Sequence, residues 1–343
     1  MAEALVRLGH DAQKFEWHQY FSKAGGLNGI WKRVQRKFCT GPLIRRLNRD
    51  LYEKVYSFSP DILFVYRGDL IFPETLLHLK KDYPNLFLIG YNNDDPFSPD
   101  YPEYIWRHFI SGIPIYDLVL AYRSHNLSEF AAAGAKQVRL FRSWFNPSRN
   151  YPLSSTVEKD AEVVFVGHYE NDGRVACLEA IARQGIDLKI YGPGYDWDPV
   201  LEKSELLRHL VPVNLVWGDE YNEALCKAKV ALCFFSSLNR DTYTRRCFEI
   251  PATGTPLLCQ YSADMETMFI PDKEAVYFSN SEELVRKLLW LLADVDARQT
   301  IGAAGNEKAW SSGHDVDSRM RLLLDWIKEL TGRTEIEDTA LHH

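Results

Sequence analysis

Ten short apolar runs, rich in β-branched and aromatic residues, alternate along this chain with longer segments of helical periodicity. No other feature constrains the fold as much, because parallel strands need a crossover between them and a helix supplies it. The runs fall into two blocks. The first holds DILFVY (61–66), LFLIGY (86–91), DLVLAY (117–122) and QVRLF (137–141). The second holds EVVFVG (162–167), DLKIY (187–191), VNLVW (213–217), KVALCFF (229–235), PLLC (256–259) and AVYF (275–278). Between the blocks, Asn146 to Asp160 is rich in Pro, Ser and Asn and has no periodicity, as a linker would. The expected architecture is α/β, with two Rossmann-like, doubly wound parallel-sheet domains. We place the first at 1–148, the linker at 149–160 and the second at 161–315, followed by a helix at 316–332 and a loose tail at 333–343. A length of 343 residues fits two domains, since a single core rarely grows past about 250–300.

The first block has an irregularity at its start. The chain opens inside a helix, AEALVRLGH, followed by a candidate strand, DAQKFEW, so the customary first strand and its tight turn are expected to be missing. No apolar run reaches the roughly 18 residues a membrane span needs. The N-terminus lacks a basic leader and an apolar core of the secretory kind, which predicts a cytoplasmic protein. The six cysteines form no C-x-x-C pair and sit in apolar surroundings, so buried free thiols are expected rather than a zinc site or disulfides.

Charge is unevenly spread. From Lys23 to Lys54 nine basic residues (Lys23, Lys32, Arg33, Arg36, Lys37, Arg45, Arg46, Arg49, Lys54) face only Asp50 and Glu53. With a net charge of −7 overall, the remainder is strongly acidic, which argues against a nucleic-acid partner. Leu27, Ile30, Trp31, Val34 and Phe38 recur at helical spacing among the basic residues. Such a helix suits an anionic acceptor or an anionic membrane, giving peripheral attachment at the inner membrane face; it also suits an ordinary surface helix with a solvated basic face.

The stretch richest in chemistry is DTYTRRCFEIPATGTP, Asp241 to Pro256. A carboxylate only accepts hydrogen bonds, so it matches the paired hydroxyls of a ribose; Glu249 is the candidate. Arg246 lies three residues earlier, on the same face of a helix, where a guanidinium can meet a diphosphate bidentately, with Arg245 beside it. The alternative is that Arg246 and Glu249 pair with each other across one turn. Gly254 stands where a left-handed helix end or a close backbone approach to a ligand requires glycine, and Pro251 should keep the helix short or bent. Asp241 can cap the helix. At the end of EVVFVG, Gly167 and His168 open a loop to Gly173 and Arg174, at a sheet edge where anionic groups settle on helix N-termini. Tyr191, Gly192, Pro193 and Gly194 end the next run, and Gly218 to Tyr221 the one after. Each glycine alone also reads as an ordinary strand-helix turn.

These residues resemble the donor site of group-1 glycosyltransferases of the GT-B fold, whose E-x4-G-x-P pattern is matched by Glu249, Gly254 and Pro256. The wording T-x-R-x-F-E, from Thr244 to Glu249, followed by A-x-G, is most similar to the CgeB-like branch, named after a spore-maturation protein. Separated passages at 60–80, 91–96, 116–141, 162–174 and 274–292, with His314 and Arg319 beyond, resemble the same branch in order. The resemblance implies two domains facing a cleft, a nucleotide-diphosphate sugar donor in the second and an unknown acceptor on the first. The acceptor would be a glycan, a lipid-linked sugar or a protein of the cell envelope, spore or surface polysaccharide. It further implies a donor pocket of Gly167, His168, Arg174, Tyr191, Gly192, Gly218, Tyr221, Asp241, Thr244, Arg245, Arg246, Glu249, Gly254 and Thr255, and a last helix returning to the first domain. Asp241 stands where many of these enzymes carry a second glutamate, so the resemblance implies that this shorter carboxylate reaches the donor sugar, the alternative to a helix cap.

An acceptor hydroxyl needs a base within hydrogen-bond reach. Asp95 is the first candidate, Asp94 the second and His125 the third, although an Asp-Pro pair also serves simply to turn the chain. The pairs Asp196/Asp198, Asp294/Asp296 and Asp315/Asp317 match the D-x-D of metal-dependent glycosyltransferases. Each has a duller explanation in a loop or at a helix start, so no metal and no other cofactor is expected. A non-catalytic nucleotide-sugar-binding or assembly protein, and a nucleotide-sugar epimerase of the same fold, are the competing readings.

Overall fold

The apolar runs of the first block pair side by side in the order in which the chain makes them. β1 (Ile62–Tyr66), β2 (Phe87–Asn92), β3 (Leu118–Ala121) and β4 (Val138–Leu140) form one parallel sheet in the order β1-β2-β3-β4. Its register sets Ile62 against Phe87 and Ile89 against Leu118. β2 and β3 are buried along their whole length, which is why their sequences are unbroken apolar runs rather than alternating ones. The second block forms a separate parallel sheet from β5 (Ala161–Val166), β6 (Leu188–Tyr191), β7 (Ala228–Cys233), β8 (Leu257–Gln260) and β9 (Val276–Phe278), in the order β6-β5-β7-β8-β9. This computed structural model describes residues 1–22, 26–154 and 158–332. Lys23, the side chain of Leu27, residues 155–157 of the expected linker and the tail 333–343 lie outside them.

The helices of the first block are α1 (Ala2–Arg7), α2 (Gly26–Phe38), α3 (Pro42–Phe58), α4 (Pro73–Asp82), α5 (Glu103–Gly112) and α6 (Asn126–Ala132). Those of the second are α7 (Arg174–Ala182), α8 (Gly194–Leu201), α9 (Asp219–Cys226), α10 (Arg246–Ala252), α11 (Ala263–Glu266), α12 (Ser281–Ala293), α13 (Val295–Ser311) and α14 (Val316–Thr331). The chain divides into two compact units, Met1–Arg142 with Leu323–His343, and Ser143–Leu322. The division passes through α14. In the first unit Leu76, Leu79, Leu88, Phe109, Val119 and Phe130 make the core, and Glu329 of α14 takes a 2.6 Å hydrogen bond from Arg139. In the second, Val163, Phe165, Val230, Leu232, Leu258, Leu284 and Leu288 do so. Residues at the head of the expected linker are held to α9, where Asn222 bonds both the N–H and the carbonyl of Tyr151.

Two expected strands are absent. DAQKFEW joins no sheet among the described residues and leads into a 3₁₀ turn, Trp17–Phe21, because Phe15 packs inward on Tyr20 instead of alternating along a sheet. Among the described residues no strand precedes β1; three helices do. VNLVW makes a single bridge, Asn214 to Tyr191, and then leaves the sheet with Leu215 and Trp217 exposed. An apolar run with no partner on its far side has no ladder to join.

Candidate functional site

In the second sheet the strand order reverses between β5 and β7. The carboxyl ends of those two strands therefore open a crevice, the place where open α/β sheets bind ligands. Gly167 follows β5 and Phe234 follows β7, so the crevice begins at these residues. Gly192 fixes its shape: a Cβ there would lie 2.2 Å from the Gly167 carbonyl oxygen, and Trp197 Nε1 donates to the same oxygen at 2.8 Å. The turns after β5 and β6 thus lock together only because one residue has no side chain.

α10 brings Arg246 to this crevice. A Cβ on Gly167 would stand 3.4 Å from the guanidinium carbon, so the group lies directly over the β5 turn. Its buried Nε has no hydrogen-bond partner among the described residues. A charged donor left unmatched costs more than a neutral one, and an anion would relieve it. One turn on, Glu249 takes the Tyr221 hydroxyl as its partner at 2.8 Å and makes no salt bridge with Arg246. The pairing of Arg246 with Glu249 across one turn is therefore not what the structure adopts. Burial pushes the Glu249 carboxyl above the usual carboxylate range, against the pull of Arg245, the Tyr221 hydroxyl and Arg246. Burial, with Glu249 beside it, raises Tyr221.

Other expected donor residues are spent on the fold. Arg174 is buried and its fork is filled by Asp172, with the His168 carbonyl 2.5 Å from its Nη1; its charge is already neutralised. His168 is largely exposed and pairs through Nδ1 with Asp196 at 2.7 Å. Thr255 donates to the Leu225 carbonyl at 2.9 Å, and Thr244 is buried against Cys233. Arg245 is exposed, stacked over Trp144 at 5.1 Å. Tyr191 ends β6, and Gly218 precedes α9 with φ of 57°. Gly254 has φ of 79° and closes α10, its N–H reaching the Pro251 carbonyl at 2.9 Å; a left-handed helix end is its structural task. α10 is only seven residues long and contains Pro251. His314 stacks 4.6 Å from Phe248 and contacts Arg319 at 2.7 Å, supporting α10 from below.

Asp241 lines a cavity of about 360 Å³ with Asp172, Ser236, Arg240, Gln260 and Tyr261. Ser236, Gln260 and Tyr261 were not anticipated. Their signal was available, since they sit at or just past the carboxyl ends of β7 and β8. Gln260 also accepts the Phe235 N–H at 2.6 Å and ties the two strand ends together.

In the first unit the order of the candidate bases changes. Asp94 is held by Arg67 at 2.8 Å. Asp95 is fully buried and accepts from the Phe97 N–H and from Asn126, each at 3.0 Å, so no acceptor can reach it. Its second oxygen lies 3.2 Å from Nε2 of His125, which is partly exposed. With Nε2–H donated to Asp95, Nδ1 of His125 is left to accept a proton. Asp95, His125 and Glu129 also come within 4.8 Å of one another, a spacing a cation can bridge. Asn126, however, aims its amide at both carboxylates, at 3.0 and 2.7 Å, and donor hydrogens there oppose a cation. Of the D-x-D aspartates, Asp196 holds His168, Asp198 accepts the Val213 N–H at 2.9 Å, and Asp294 and Asp315 cap helices at 2.9 Å.

Residues 174–325 match a protein family described as glycosyl transferase-like. None of the curated proteins matches the chain in sequence. Among solved structures it is similar to the sucrose-phosphate synthase of Thermosynechococcus elongatus, with a TM-score of 0.66 at 13% identity over 84% of this chain and 78% of that one. HepE of Anabaena in complex with UDP-glucose gives 0.64 at 12% identity over 84% and 82%. A glycosyltransferase of Rickettsia africae gives 0.63 at 12% identity over 86% and 83%. The fold is GT-B. Within GT-B the matched family region begins at Arg174 and contains α10, so it takes in Arg246 and Glu249 but not the β5 turn. No helix among the described residues is long and apolar enough to cross a membrane.

Proposed function

We propose that this chain is a glycosyltransferase, of the CgeB-like branch, that uses a nucleoside-diphosphate sugar bound at the β5/β7 crevice. The observation that carries the reading is the unmatched Nε of Arg246 over the turn after β5. A diphosphate supplies the oxygens this donor lacks, and Glu249 accepts from the ribose hydroxyls beside Tyr221. The sugar extends toward Asp241 and Ser236. On the first unit His125 takes the proton of the acceptor hydroxyl through Nδ1, and Asp95 is a positioning residue that holds the ring. The acceptor oxygen bonds to the anomeric carbon, the bond from that carbon to the phosphate oxygen breaks, and the nucleoside diphosphate leaves with its charge met by Arg246. A guanidinium in that role makes a divalent cation unnecessary, so EDTA should leave turnover unchanged. UDP-glucose, the ligand of the HepE structure, is the first donor to try.

A non-catalytic nucleotide-sugar-binding protein is the second reading. The four strands of the first sheet run in unreversed order, so that sheet has no switch-point crevice of its own among the described residues. The two readings separate when donor and an envelope extract are incubated with the protein and followed by mass spectrometry. Transfer predicts a product heavier by one sugar together with free nucleoside diphosphate. Donor that binds and stays intact sinks the enzyme reading and leaves the second.

A further inference from the structure

α2 is built inside out. Its inward side carries Gly29, Gln35 and Arg36, while Ile30, Trp31, Val34 and Phe38 are exposed by 40–58%. At 100° per residue these four fall on one stripe about 100° wide, bordered by Arg33 and Lys37. The polar side is firmly seated: Arg36 forms a 2.8 Å ion pair with buried Asp69 and stacks over Trp17, and Gln35 accepts the Leu43 N–H at 2.7 Å. Arg107 holds the helix end through the Phe38 carbonyl at 2.7 Å. The outward stripe is thus the face that the anchoring leaves over, and rotating the helix to hide it would break the Arg36–Asp69 pair.

Single exposed apolar residues are ordinary; a contiguous stripe of four, with an aromatic at each end, marks an interaction surface. We propose that α2 lies in the interface of an anionic lipid bilayer, its stripe among the acyl chains and Arg33 and Lys37, which border it, at the headgroups. The charge pattern decides for lipid. Among the described residues Lys32, Arg33 and Lys37 have no acidic side chain within ion-pair distance, and the chain outside 23–54 is acidic. An anionic surface therefore attracts this helix and repels the remainder, which fixes one orientation. The inference is independent of the donor-site reading.

The test is co-sedimentation of the full chain with phosphatidylcholine vesicles made with and without phosphatidylglycerol. Binding should need the anionic lipid and weaken as salt rises. Reversing charge at Arg33→Glu/Lys37→Glu should lower partitioning by an order of magnitude or more, since each basic residue near such a surface contributes about fivefold. Ile30→Ser/Trp31→Ser should lower it about tenfold at unchanged charge; all four positions are exposed, and far-ultraviolet circular dichroism confirms folding. Equal binding of these variants and the wild type overturns the proposal. So does a wild-type dimer that becomes monomeric in Ile30→Ser/Trp31→Ser without any vesicle binding, which would make the stripe a contact between two copies.

Discussion

Glu249 is held in a state that suits a ligand better than it suits the empty protein. Its carboxyl is raised by burial, so ionisation at neutral pH opposes folding. For a carboxyl raised in the folded state, the penalty is full above the folded value and disappears as pH falls through it. Glu249→Gln should therefore raise the melting temperature at pH 7 and lose that advantage in acid, while weakening nucleotide binding about 10- to 100-fold, the worth of a charge-assisted hydrogen bond. Donor affinity of the wild type should decline on acidification at a pH above that of an ordinary glutamate, read by titration calorimetry across pH. At the other candidate centre, Asp95→Asn keeps the shape but removes the charge that fixes His125. Turnover should fall about 10²–10⁴-fold with little change in KM, and the pH-rate profile should shift; an unchanged profile would show Asp95 to be structural only. The sequence named both residues, but it ranked Asp95 above His125 because burial is invisible in a dipeptide such as Asp-Pro. It likewise credited Arg174 with a ligand, since nothing in the spacing reveals that Asp172, two residues earlier, fills its fork.

Turns between elements decide whether the crevice exists. Gly192→Ala would drive a methyl group into the Gly167 carbonyl, 2.2 Å away, with the buried Trp197 indole 2.8 Å off and little room to yield. Overpacking of this kind costs about 1–3 kcal/mol, so the denaturation midpoint should drop and nucleotide affinity should drop with it. Stability lost with affinity intact would show that the β6 turn does not shape the site. Nine of the ten apolar runs became strands within about a residue or two of their expected ends, because buried parallel strands announce themselves as unbroken apolar stretches. VNLVW carries the same composition yet makes one bridge only. Strand propensity describes a residue that fits a pleated, half-buried surface, and the run at 213–217 meets β6 at that one bridge with no strand beyond it among the described residues. In α2 the apolar spacing was legible, whereas its outward direction depends on Asp69, more than thirty residues away.

The whole chain combines one unit with a reversed strand order and one without. Both sheets are parallel and Rossmann-like as expected, but strand order is a long-range property that periodicity does not encode, and among the described residues the reversal that opens a crevice lies in the second sheet. The functional weight accordingly rests on the second unit, where Arg246 and Glu249 stand at the reversal. A ligand bound there at 100 times its dissociation constant stabilises the folded protein by about 2.7 kcal/mol. The most direct test is titration calorimetry of the full chain with UDP, GDP, ADP, TDP and CMP, repeated on Arg246→Met, which keeps the volume and removes the unmatched donor. The account predicts that at least one nucleoside diphosphate binds the wild type and that Arg246→Met, still folded, binds it at least tenfold more weakly. Binding of none of them, or equal binding by the variant, would contradict it.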